Sequence, residues 1–108
     1  MQSGPSDRTR MVVRHEMVMA LIDNNLRQLR CDNRRRGVEF ERQLTVRAAA
    51  LPGAPPQLQT AVAECDRRLA EIDEEGRRLG AARDWLTATL AAFDADADGS
   101  DAKEDLDG

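Results

Sequence analysis

A chain of 108 residues has room for one hydrophobic core, because halving it would leave each piece too short to bury enough surface. Hydrophobic residues make up 41% but aromatics only 3%, against 33% charged residues, a balance that favours helices over a β sandwich or barrel. The formal net charge of −4 is unevenly spread: residues 7–51 carry ten Arg against six acids, residues 55–93 five Arg against seven acids, and residues 94–108 one Lys against seven acids, or +4, −2 and −6.

The longest wholly apolar run, residues 17–22, is far short of the ~20 residues a membrane span needs, so no membrane partner is expected. Fifteen of the sixteen basic residues are Arg, which beside the Ala and Asp content reads as the codon usage of a GC-rich bacterial or phage genome. Two cysteines, Cys31 and Cys65, are too few for a disulfide framework and lack C-x-x-C spacing, so a reducing cytoplasm is the expected compartment.

Residues 1–6 form a polar, disordered lead-in, and Ser6 or Asp7 suits the N-cap of a first helix over about 8–51. Apolar residues recur there as Val12, Met19, Ile22, Leu26, Leu29, Phe40, Leu44 and Leu51, near the 3-4 spacing of one helical face. Between Cys31 and Gly37, Asn33 and Arg36 interrupt this seam, and Gly37 costs about 1 kcal/mol against Ala inside a helix. A kink or break is predicted near 31–37.

Three prolines and a glycine in residues 52–56 make the turn, placed at 52–55. A second helix over about 56–93 carries the most regular signal: Leu58, Val62, Cys65, Leu69, Ile72, Gly76, Leu79, Arg83, Leu86, Leu90 and Phe93 step by four and three without a slip. The predicted fold is all-α, a coiled-coil hairpin of two long antiparallel helices. Residues whose numbers sum to about 107 should lie level, which sets Arg34, Arg35 and Arg36 against the acids at 71–75.

A two-helix hairpin has one seam per helix, so further apolar surface implies a partner. Near the chain ends, Val13, Met17 and Leu21 widen the apolar surface of the first helix, and Ala81, Trp85, Ala88 and Ala92 form a second row on the other. Two hairpins joined there would make a four-helix bundle. The residues expected to carry binding are Val13, Met17, Leu21, Trp85, Leu86 and Leu90, with Ala81, Ala88 and Ala92 allowing close approach. The partner is a second copy of the chain or a helix of another protein.

An alternative function is nucleic-acid binding through Arg27, Arg30, Arg34, Arg35 and Arg36. The predicted acids opposite and the acidic terminus compete with phosphate, which makes nucleic acid the weaker partner. The segment FDADADGSDAKEDL supplies a third reading. It is similar to the calcium loop of the EF-hand family, which implies calcium ligation by Asp94, Asp96, Asp98 and Asp105, with Gly99 at the sharp turn. Composition favours a disordered acidic tail over residues 94–108, which has almost nothing to bury.

His15 is the only histidine, and no nucleophile triad, zinc spacing or glycine-rich phosphate loop occurs. The expected function is therefore non-enzymatic: an assembly, adaptor or chaperone-like interaction module with no cofactor, no metal and no small-molecule substrate.

Overall fold

A computed structural model describes the backbone of residues 7–107 and the side chains of residues 7–96. It holds two helices, α1 (Asp7–Ala49) and α2 (Gln57–Asp107), packed against each other as an all-α hairpin. The lead-in at residues 1–6 lies outside the described residues.

The turn follows from its proline and glycine chemistry. Ala54 N donates to Leu51 O at 3.1 Å, with Pro52 and Gly53 at the two central positions and Gly53 at φ 76°. Proline presets the first central dihedral, and only glycine enters the positive region at the second without strain, the signature of a type II turn. Helix α2 then opens behind Pro55 and Pro56, whose carbonyls accept from Leu58 N and Gln59 N at 3.1 Å. Proline suits this place because the first turn of a helix has no use for its missing N–H.

Helix α1 runs unbroken through Cys31–Gly37. The penalty of Gly37 is small against the rest of a 43-residue helix, and a Cβ there would meet nothing within 4 Å. Helix α2 departs from expectation at its other end, continuing past Phe93 to Asp107. No proline follows Phe93, and alanines alternate with the acids, so no residue there forbids the helical backbone.

The chain divides into two compact units. The turn unit, Leu26–Gly80, holds the whole buried apolar core: Cys31, Val38, Cys65 and Ile72, with Leu69 and Leu79 packed against it. Its ion pairs fix the antiparallel register, because Arg34–Glu75, Arg35–Asp73, Arg42–Asp66 and Arg68–Glu41 all join residues whose numbers add to 108 or 109. The terminal unit, Met1–Asn25 with Ala81–Gly108, contains no buried apolar side chain among its described residues. Its one buried described residue is polar, Asn24, and its helices are joined by Arg14 and Asp94, which obey the same register.

One expectation is corrected: the apolar stripe read as the α1 seam faces outward. Val12, Met19 and Ile22 in the terminal unit are exposed, as are Leu26, Leu29, Phe40, Leu44 and Leu51 in the turn unit. The face turned to α2 instead carries Met17, Leu21 and Asn24 in the terminal unit, and Gln28, Cys31, Arg35, Val38, Arg42 and Thr45 in the turn unit. Both stripes repeat at the 3-4 spacing, about half a turn apart. The polar one wins because its arginines reach the α2 acids while Cys31 and Val38 enter the core. Asn33 and Arg36, which interrupted the expected seam, are exposed and interrupt nothing.

Candidate functional site

The α2 seam lies where its spacing put it. Cys65 and Ile72 are buried, and Leu58, Val62, Leu69, Gly76, Leu79, Leu86, Leu90 and Phe93 are half-buried; Arg83 alone is exposed. Gly76 faces α1, and a Cβ there would stand at ordinary contact distance, 3.8 Å, from both Cys31 Sγ and Gln28 Nε2. Cys31 Sγ donates to the Ile72 carbonyl at 3.3 Å. Both thiols are free and buried. Burial, reinforced by the carboxylates of Glu75 and Asp32, pushes the Cys31 thiol above its usual range against the opposing charge of Arg34, which disfavours the thiolate.

The terminal unit gathers the expected partner-binding residues in two settings. Met17, Leu21, Leu86 and Leu90 are half-buried along the line between the helices. Val13, Ala81, Trp85, Ala88 and Ala92 are exposed, with Trp85 at 64%. On the side of α1 turned away from α2, Met11 at 71%, Val12, Met19 and Ile22 are also open to solvent. Hydropathy spacing identified Val12, Met19 and Ile22, but placed them inside the hairpin. A groove of about 300 Å³ lined by Met11, Arg14, His15 and Val18 lies within this apolar zone.

The arginines proposed for phosphate contact are divided by the fold. Arg34 Nη1 donates to Glu75 at 3.0 Å, and Arg35 Nε donates to Asp73 at 2.7 Å while the same guanidinium also pairs with Glu39. The hydrogen bond and charge of Arg35 hold the Asp73 carboxyl below its ordinary range, and Asp73 raises the arginine in turn. Arg27, Arg30 and Arg36 are exposed. Arg34 and Arg35 are thus held by carboxylates close to where the register set them, whereas Arg36, expected against the same acids, stands on the outward side; a nucleic acid would have to displace the acids of Arg34 and Arg35.

The calcium reading meets a different backbone from the one it needs. Asp94, Asp96, Asp98 and Asp105 stand on continuous helical backbone, whereas the ligating loop of the EF-hand family is not helical. Asp94 already meets Arg14, whose Nε and Nη2 lie 3.1 and 3.5 Å from its two oxygens. The side chains of Asp98 and Asp105 lie outside the described residues.

Among the described residues no three His, Cys, Asp or Glu side chains converge as a metal site, and no helix is long and apolar enough to cross a membrane. A groove of about 570 Å³ in the turn unit is lined by Glu39, Arg42, Gln43, Val46, Arg47, Asp66 and Leu69. Its charged groups include Arg42 and Asp66, which pair with each other, and it contains no nucleophile beside a base. No protein-family model, curated protein or solved structure matches this chain.

Proposed function

We propose that the chain is a non-enzymatic protein–protein interaction module that associates with a second copy of itself through the apolar surface of its terminal unit, completing a helical bundle. The observation that carries this reading is the inverted packing of that unit. It buries no apolar residue among those described, yet exposes Met11, Val12, Val13, Met19, Ile22 and Trp85. Large apolar side chains left open to solvent in such number mark association sites.

On α1 the charges around this surface balance, Arg8, Arg10 and Arg14 against Asp7, Glu16 and Asp23, whereas the acids of residues 94–107 make the unit as a whole acidic, so association is expected to strengthen as salt screens them. Exposed Ala81, Ala88 and Ala92 beside Trp85 allow a facing helix to approach closely, and Trp85 supplies the kind of aromatic anchor that dominates interface energetics.

Sedimentation equilibrium tests the proposal. The expected species is a dimer, and Trp85→Ala weakens it by about 2 kcal/mol, roughly thirtyfold in Kd. A monomer at all accessible concentrations contradicts it, as does a dimer indifferent to Trp85→Ala and Ile22→Asp alike.

A further inference from the structure

The turn unit carries a second exposed surface that uses none of those residues. On the outward side of α1, opposite buried Cys31 and Val38, lie Leu26, Leu29 at 59%, Phe40 at 63% and Leu44. At 100° per residue the same side also holds Arg30, Asn33, Arg36, Gly37 and Arg47, all exposed. It contains no acidic residue.

The acids nearest this side are engaged elsewhere: Asp73 and Glu75 pair with Arg35 and Arg34, Asp66 with Arg42, Glu41 with Arg68 and Glu39 with Arg35. Among the described residues, none of these carboxylates is bound to Arg30, Arg36 or Arg47. Arginines at an association surface and apolar side chains beside them are both under-used in the hairpin alone.

We propose that this face docks an acidic amphipathic helix of a partner protein, one with Leu-type residues at 3-4 spacing and Asp or Glu along their borders. The apolar side chains of such a helix would cover Leu29, Phe40 and Leu44, while its carboxylates meet Arg30, Arg36 and Arg47. The width of the surface selects a helix over a broad anionic one. A helix about 10 Å across sits within the stripe, whereas a lipid headgroup layer or a nucleic-acid backbone extends over Asp32, Glu39 and Glu41 at its borders and is repelled. A second copy presenting the same face would set arginine against arginine, so the occupant is a different chain.

The probe is a labelled synthetic helix of three heptads with Leu at the core positions and Glu beside them, titrated against the full chain. A Lys-for-Glu version, phosphatidylserine vesicles and duplex DNA serve as separate arms. The Glu helix is expected to bind and to weaken as salt rises. Arg30→Ala with Arg36→Ala, and separately Phe40→Ala, each reduce its affinity about tenfold, whereas Arg77→Ala on α2 leaves it unchanged. These substitutions are on exposed helical positions, and circular dichroism verifies that each variant remains helical. Equal binding of the Lys helix, indifference to the Arg variants, or binding of vesicles or DNA in place of the Glu helix overturns the proposal.

Discussion

The turn unit and the terminal unit are built from the same two helices at the same 3-4 spacing and both leave large apolar side chains outside, yet among the described residues only the turn unit closes a buried apolar core. The turn unit buries Cys31, Val38, Cys65 and Ile72 and joins its helices with four ion pairs. The terminal unit places Asn24 where a core residue would be expected and turns Met11, Val12, Met19, Ile22 and Trp85 outward. The contrast teaches that helical periodicity is a promise of burial that the chain itself need not keep. Where apolar residues of both helices close on one another, as at Cys31, Val38, Cys65 and Ile72, the hairpin stabilises itself; the apolar side chains left outside are those we propose a second molecule covers.

The comparison breaks most decisively at the core. Ile72→Ala should cost about 2–5 kcal/mol in denaturant unfolding, because it opens a cavity beside Cys31 and Val38 in the only buried apolar cluster among the described residues. Ile22→Ala, which removes an equal volume from the exposed side of the terminal unit, should cost under about 0.5 kcal/mol under conditions where the chain is monomeric. Equal losses at the two positions would mean that the units do not differ in the way described.

Glycine substitutions sharpen the picture on a smaller scale. Gly37→Ala should stabilise by about 1 kcal/mol, since the added methyl meets nothing and the helix loses a flexible residue. Gly76→Ala gains the same propensity and sets its methyl at ordinary contact distance from Cys31 and Gln28, so it too should stabilise. Gly53→Ala should destabilise, because Gly53 occupies the positive-φ position of the turn.

Acidification gives a weaker and more distributed effect. The carboxyls of Asp73, Glu64 and Glu74 are held below their ordinary range, first by hydrogen bonds from Arg35, Arg67 and Arg77 respectively. A carboxyl depressed by folding contributes stability that is present above its unfolded pKa and lost as pH falls through its folded value. Unfolding free energy should therefore decline below the usual carboxylate range, and Arg35→Ala should remove the Asp73 share of that decline. Because these groups are solvent-facing, added salt should reduce the slope. Slowest to show is the thiol chemistry: Cys31 and Cys65 should alkylate only as fast as the turn unit opens, and Ile72→Ala should accelerate both.

The sequence made several of these features legible. The α2 seam could be read position by position because its apolar side chains are concentrated on one face and nearly alone there. The register was legible in the charges, since Arg34 and Arg35 find acids close to where the turn at Pro52 and Gly53 sets them. The inward face of α1 was not legible from hydropathy. Apolar count favours Leu26, Leu29, Phe40 and Leu44, whereas the packed side is decided by Arg35, Arg42 and the small residues Cys31 and Val38, whose value depends on what α2 places opposite. The continuation of α2 through its acidic end was hidden for a related reason, because composition alone reports how little that segment can bury and not that its backbone remains compatible with a helix.

The central claim is that the terminal unit's outward apolar side chains are covered by a second copy of the chain. Fluorescence of Trp85, the sole tryptophan, tests it most directly when followed across a dilution series of the intact protein. The account predicts a blue-shifted emission at high concentration that moves red on dilution, with Ile22→Asp giving the red, solvent-exposed spectrum throughout. A solvent-exposed spectrum that stays the same at every concentration, in a chain that sediments as a monomer, would contradict it.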